Sequence, residues 1–225
     1  MKKSFLALLA SLAACSGGTG KVAVSTHVDG GAAGATALSA TAPVTTTLAI
    51  GDRVALERAR LVVRKVMLVE STEGAEGPIL RWSPTVIDLA GADLDGGVEV
   101  VLEAEVPAGT YAGLAAQFHK LTPGEVVGDP AFAPLGHSIV LDLTVDGEPV
   151  QFVSDLTSVA VLPGPITVAE GETAHATVSI DPGGWFTGTG GVFLDPRLDE
   201  SRSRIEWNIK GSIRGFQDDD LDGLP

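Results

Sequence analysis

The amino-acid sequence predicts an all-β protein, an antiparallel β-sandwich, and three observations predict it. Turn signals recur every ~8–15 residues, among them Gly51-Asp52, Asp95-Gly96-Gly97, Pro107-Ala108-Gly109, Asp146-Gly147, Pro163-Gly164-Pro165 and Pro182-Gly183-Gly184. Between them lie short runs rich in Val, Ile, Leu and Thr, the composition of strands that fill a pleated, half-buried surface. No fixed-period repeat and no alternation of strands with long amphipathic helices interrupts this pattern. The 225 residues are 44% hydrophobic, enough for one β-rich domain with a core of its own. A single Cys excludes a disulfide framework and a Cys-rich zinc site. With 15 Lys+Arg against 29 Asp+Glu the net charge is −14, and no long basic run offers a nucleic-acid surface.

The chain opens on an export signal. Met1-Lys2-Lys3 is a short cationic start, and Ser4 to Ala14 is apolar but far short of the ~20 residues a membrane-spanning helix needs. It ends in Leu12-Ala13-Ala14-Cys15, followed by Ser16. This resembles the bacterial lipobox, a large apolar residue and two small ones before a Cys. The resemblance implies that the Cys15 sulfur receives diacylglycerol, that residues 1–14 are cut away as a lipoprotein signal peptide, and that the new amino group is acylated. Several acyl chains, at ~0.8 kcal/mol per buried methylene, hold a protein to a membrane essentially permanently. In lipoproteins of two-membrane bacteria Asp after the Cys marks inner-membrane retention, so Ser16 points to the outer membrane.

Residues 15–45 read as the lipidated Cys and a flexible tether. Gly, Ala, Ser, Thr and Val dominate, and no large side chain recurs at a strand or helix period. The sandwich domain is expected at 46–217 and an acidic tail at 218–225.

Within the domain, Ala55 to Val69 is ambiguous: Ala55 to Leu61 has helix propensity, whereas Val62 to Val69 reads as strand. Val98 to Val106 alternates apolar and acidic residues, and Tyr111 to Leu121 and Glu172 to Ile180 each place apolar residues on one face. Ser138 to Val145, Asp146-Gly147 and Glu148 to Val153 form a hairpin. Asp-Gly favours a type I′ turn, which pairs Leu143 with Val150, Leu141 with Phe152, Asp142 with Gln151 and Thr144 with Pro149. Pro149 cannot donate outward, so its strand is an edge. Asp181 to Phe186 reads as a turn docking two aromatics. A final strand is expected over Ile205 to Ile213, with Ile205, Trp207, Ile209 and Ile213 at odd positions. Trp82, Trp185 and Trp207 are expected in the core, the alternative being aromatic platforms for a glycan.

The order Leu61 to Val66, then Val86-Ile87-Asp88-Leu89, then Val106-Pro107-Ala108-Gly109-Thr110-Tyr111 is similar to a group of bacterial surface lipoproteins with β-sandwich domains of unknown function. The hairpin, Asp181 to Phe186, and Ile205 to Phe216 with its acidic end look like myxobacterial-type members. The resemblance spans most of 55–222 and implies a fold of immunoglobulin- or transthyretin-like kind. It brings no catalytic residues.

Chemistry-bearing patterns are few. Gly136-His137-Ser138 lacks the second Gly and the strand–turn–helix setting of a nucleophile elbow. His27, His119, His137 and His175 stand apart from one another, without metal-ligand spacing, and His119 and His175 are expected on exposed strand faces. Arg53, Arg58, Arg60, Arg64 and Lys65 read as a solvated strand face. Asp218, Asp220, Asp222 and Gly223 match the opening D-x-D-x-D-G of calcium loops, in which alternate carboxylates converge on a hard cation. The later acidic ligand is missing, so further oxygens would have to come from Asp195, Asp199 or Glu200. The plainer reading is a solvated acidic tail, and Ca²⁺ is the one cofactor the sequence offers. The sequence thus predicts an outer-membrane, lipid-anchored protein with a non-enzymatic structural, adhesive or ligand-binding sandwich. Its partners would be the membrane, through the acyl chains, and an envelope protein or glycan, with no nucleic acid. A calcium-dependent binding module is the alternative, and an envelope hydrolase stands behind both.

Overall fold

The computed structural model describes residues 17–29, 47–71, 73, 75–122, 124–125 and 136–225. Cys15 and the Leu12-Ala13-Ala14 motif lie outside the described residues.

The expected two-sheet sandwich is what the chain forms. Strands β1 (Thr19–Val28), β6 (Val98–Pro107), β11 (Thr173–Ile180) and β12 (Ile213–Gln217) make one sheet in the order β12-β11-β1-β6. The other sheet runs β10-β7-β3-β8-β9, from β3 (Val54–Val69), β7 (Gly109–Phe118), β8 (Ile139–Val145), β9 (Glu148–Ser154) and β10 (Ser158–Val168). The short strands β2 (Leu48–Ile50), β4 (Glu76–Arg81) and β5 (Thr85–Ala90) also pair with β3.

β3 is a single strand from end to end, so the helix propensity of its first half is overridden. Arg58 to Leu61 is flanked by β5 and β8 together, and Val66 to Val69 by β4 and β7. A segment buried from both edges and both faces satisfies its backbone only as a central strand. Between the sheets one apolar cluster joins Val22 and Val24 of the first to Leu56, Leu61, Phe118 and Phe152 of the second. On one flank β10 and β12 come so close that a Cβ at Gly164 would collide with the Gly215 carbonyl. The β6–β7 turn is tied by Tyr111, whose hydroxyl donates to the Pro107 carbonyl at 2.6 Å.

The hairpin has the expected register: Leu143 faces Val150, Leu141 faces Phe152, Asp142 faces Gln151 and Thr144 faces Pro149. Asp146 and Gly147 take φ of 53° and 85°, the two positive values a type I′ turn requires. β9 is the terminal strand of its sheet.

Several expectations are corrected. Residues 19–28 are not tether but β1, an interior strand with Val22 and Ala23 at 0% exposure. Its inward-facing period, Val22, Val24, Thr26 and Val28, is masked in the sequence by Ala23, which blurs the alternation, and by Ser25 and His27, which look solvated. β1 pairs β11 in parallel, the exception to an otherwise antiparallel pattern among the described strands. The expected strand over Ile205 to Ile213 is instead helix α1 (Asp199–Gly211), with β12 beginning at Ile213. Ile205 and Ile209 are four apart, a spacing that a helix places on one face as readily as a strand does, and both are fully buried. Asp199 and Glu200 in the first turn and Lys210 in the last suit the helix dipole. Trp207 at 67% and Trp82 at 58% are exposed, whereas Trp185 is in the core and its indole N–H donates to the Ser212 hydroxyl at 2.8 Å. The basic run is not a uniformly solvated face: Arg60 is buried against Asp142 at 2.7 Å, and Arg58 forks onto Asp88. His119 is buried rather than exposed, and its Nε2 meets Glu125 at 2.8 Å.

Candidate metal centre

The C-terminal residues 218–225 are not a solvated tail. Asp218 follows β12 and its N–H donates to the His175 carbonyl at 2.9 Å, continuing the ladder one step past the strand. Its side chain is 2% exposed. There Oδ2 accepts from the Thr177 hydroxyl at 2.7 Å and from the Gly223 N–H at 3.1 Å, and Oδ1 accepts from the Asp222 N–H at 3.2 Å. Burial alone would raise the Asp218 carboxyl. The Thr177 hydroxyl and the Gly223 and Asp222 N–H groups outweigh it, so the net shift is downward and the ionised form is favoured.

The loop lies over the outer face of the four-stranded sheet. Val22, Val24 and Val28 of β1 point to the core, so Ser25 and His27 point away from it, alongside Thr177 and Ser179 of β11. Gly223 sits on the His27 ring. A Cβ there would lie 2.7 Å from Nδ1, and Gly223 has φ +79°, so both space and backbone call for glycine. Under this cover the Ser25 hydroxyl, the His27 Nδ1 and the His175 Nδ1 are shut off from solvent without a hydrogen-bond partner.

Asp218, Asp220 and Asp222 converge as the spacing suggests. Each offers an oxygen, and these oxygens lie within 4.8 Å of one another. Asp220 and Asp222 are exposed. Asp218 keeps lone-pair capacity chiefly on Oδ1, which accepts one donor against two on Oδ2. Ca²⁺ takes six to eight oxygens, so three carboxylates supply part of a sphere that water and carbonyls complete. The donors expected from Asp195, Asp199 or Glu200 do not join the cluster. Asp195 is held by Arg197 at 2.6 Å, which also reaches Asp146 on the hairpin turn, and Asp199 faces Arg202 within α1.

A second polar site forms where the β8–β9 hairpin meets α1. A cleft of about 380 Å³ is lined by His137, Ser154, Asp155, Arg202 and Glu206, among others. His137 Nδ1 meets Asp155 Oδ1 at 2.7 Å, and Lys120 donates to Asp155 Oδ2 at 2.5 Å. Lys120 first, and then His137, hold the Asp155 carboxyl below its ordinary range. The hairpin register brings residues 137 and 155 together, and the helix misread as strand supplies Arg202 and Glu206. Sequence reasoning therefore had no means of assembling this cleft. Ser138 does not line it as a nucleophile: it is fully buried and its hydroxyl donates to the Ser154 carbonyl at 2.9 Å. The Ser154 hydroxyl donates to Glu206 at 2.6 Å and accepts from the Leu156 N–H at 3.0 Å.

No known protein family matches the chain, and no curated protein matches it. Among solved structures, MbnP from Methylosinus trichosporium is similar at a TM-score of 0.38 and 17% identity, over 75% of this chain and 77% of that one. That likeness is too loose to carry any correspondence between residues. No helix among the described residues is long and apolar enough to cross a membrane.

Proposed function

We propose that the protein is a lipid-anchored component of the cell envelope, its β-sandwich a non-enzymatic binding module held at the outer membrane. The observation that carries this reading is Leu12-Ala13-Ala14-Cys15 at the end of an export signal, with Cys15 the single cysteine of the chain. With β1 beginning at Thr19, three residues, Ser16-Gly17-Gly18, lie between the anchor and the body, four Cα-to-Cα steps in all. Fully extended they reach at most ~14 Å. The start of β1 is fastened to its neighbours: Ala108 N–H donates to the Gly18 carbonyl at 2.8 Å, and Gly171 N–H to the Thr19 carbonyl at 2.9 Å. An anchored protein therefore sits close to the lipid with its β6–β7 and β10–β11 turns toward it. Glu170 and Glu172 in that end disfavour contact with anionic headgroups. The test is mass spectrometry of natively purified protein together with fatty-acid labelling. The expected species begins at an acylated Cys15, and Cys15→Ser carries no label. An unmodified chain that retains Met1 overturns the reading.

The convergence of Asp218, Asp220 and Asp222 favours a second reading, a calcium-dependent binding module. Millimolar Ca²⁺ should raise the thermal midpoint by several degrees, and Asp220→Asn with Asp222→Asn should remove that rise. An unchanged midpoint in the unaltered protein rejects it.

A further inference from the structure

Strand register builds a groove on the outer face of the larger sheet. Leu68, Leu114 and Leu162 lie side by side and point to the core, so their chain neighbours point away from it. One outward row is Lys65 of β3, Gln117 of β7 and Val159 of β10, and the next is Met67, Ala115 and Val161. Ala115, the small side chain between Met67 and Val161, leaves a depression. The groove over it has a volume of about 180 Å³. Trp82, one residue past β4, stands in its wall at 58% exposure. The Lys65 ammonium lies 5.2 Å from the indole centroid and donates to Glu76 at 2.7 Å, which braces the ring. The Gln117 amide lines the same groove, and no group among the described residues hydrogen-bonds to it.

These groups call for a ligand that is apolar on one face and hydrogen-bonding round its edge. The open indole and the floor of Met67 and Ala115 offer apolar contact. The Gln117 amide offers an acceptor and two donors, which an aliphatic ligand would bury unmet at a cost. Lys65 and Glu76 pair with each other, so the groove presents no net charge that would select an ion. A neutral pyranose has the matching character: ring C–H groups on its face, and hydroxyls on its rim that both donate and accept. The volume is below the ~300–1,000 Å³ of a drug-sized pocket and suits one sugar ring. We propose that this groove binds one ring of a neutral glycan, stacked on Trp82 with its hydroxyls on Gln117. This rests on the sandwich being a binding module and names its ligand class; neither the lipid anchor nor the acidic loop takes part.

The experiment titrates cellotetraose, chitotetraose and tetragalacturonate into natively purified protein, in a detergent without a sugar headgroup, with calorimetry as the readout. At least one of the two neutral tetrasaccharides should bind at millimolar concentration or below, equally at low and high salt, and tetragalacturonate should not bind. Trp82→Ala should weaken binding about tenfold, and Gln117→Leu about three- to tenfold. Trp207→Ala, which removes an exposed indole from α1, should leave binding unchanged. Absence of binding by both neutral glycans overturns the proposal, as does binding of tetragalacturonate alone. An affinity that folded Trp82→Ala and Gln117→Leu both leave intact overturns it too, and if Trp82→Ala fails to fold, Gln117→Leu decides. Acylation of Cys15 is read separately from the intact mass, so failure of the glycan site and failure of the anchor are told apart.

Discussion

Replacing Asp218 with Asn separates a loop that is part of the fold from a tail that hangs off it. The carboxylate is 2% exposed and accepts three hydrogen bonds, one of them short, at 2.7 Å from Thr177. The two from Gly223 and Asp222 are longer, at 3.1 and 3.2 Å. A hydrogen bond to a charged acceptor contributes ~1.5–3 kcal/mol net, and the long ones fall below that range. Asn keeps one acceptor oxygen and turns an NH₂ toward donors, so the change should destabilise the protein by about 2–4 kcal/mol. For a domain of this size each 1 kcal/mol moves the midpoint by ~2–4 °C, so Tm should fall by ~4–16 °C. The assay is a thermal melt followed by circular dichroism in EDTA, which removes any contribution from bound cation. Asp219→Asn is the control, because Asp219 is exposed and accepts only from Gln217 at 2.8 Å. The folded-state pKa of Asp218 is depressed, so its stabilisation is in full above the ordinary value near 3.8 and is lost as pH falls through the lower folded value. The wild-type minus Asn difference should therefore shrink in strong acid. A midpoint in EDTA within 1–2 °C of wild type would refute this account and return residues 218–225 to the status of a solvated tail.

Val24→Asp should abolish cooperative unfolding, because it puts an unpaired charge into the inter-sheet core at a position 2% exposed; a native melt would mean residues 19–28 are dispensable. Ile209→Ala should cost ~2–5 kcal/mol by denaturant titration, whereas Trp207→Ala, just over half a turn away on the exposed face, should stay within ~0.5 kcal/mol; a strand in place of α1 would give comparable losses. The Thr122 backbone N–H, opposed by burial and helped by His119 and the Thr122 hydroxyl, holds Glu125 at about 2 instead of 4.5. Its stabilisation is thus in full above about pH 4.5 and is lost toward pH 2, and Glu125→Gln should cost ~1–2 kcal/mol at pH 7 and progressively less below pH 4.5.

Local rules carried the sequence reading a long way and failed at identifiable places. Asp146-Gly147 dictates its own turn, and the turn dictates the register of the eight residues around it, so the hairpin was legible in full. β1 was not, because its outward face carries Ser25 and His27, side chains that look solvated until the C-terminal loop covers them. Ile205 and Ile209 fit both periods, and Trp207 between them tipped the reading to strand, although in the helix it points to solvent. The convergence of Asp218, Asp220 and Asp222 was legible because three carboxylates within five residues need no distant partner to meet. The burial of Asp218 was not, because it depends on Thr177, 41 residues earlier.

The sequence alone determined the strand-rich class, the hairpin register and most of the turn positions; the turn expected at Pro163-Gly164-Pro165 is instead an irregularity inside β10, where the register with β7 shifts between Pro163 and Ile166. Each is set by neighbours in the chain, through dihedral preference or side-chain alternation. Tertiary structure alone decided that residues 19–28 enter the sheet, that β1 lies parallel to β11, that 199–211 coils as a helix, and that the last eight residues close over the sheet. In each of these the deciding energy is the burial of a face by a segment far away in sequence, and no local pattern encodes which face will be covered.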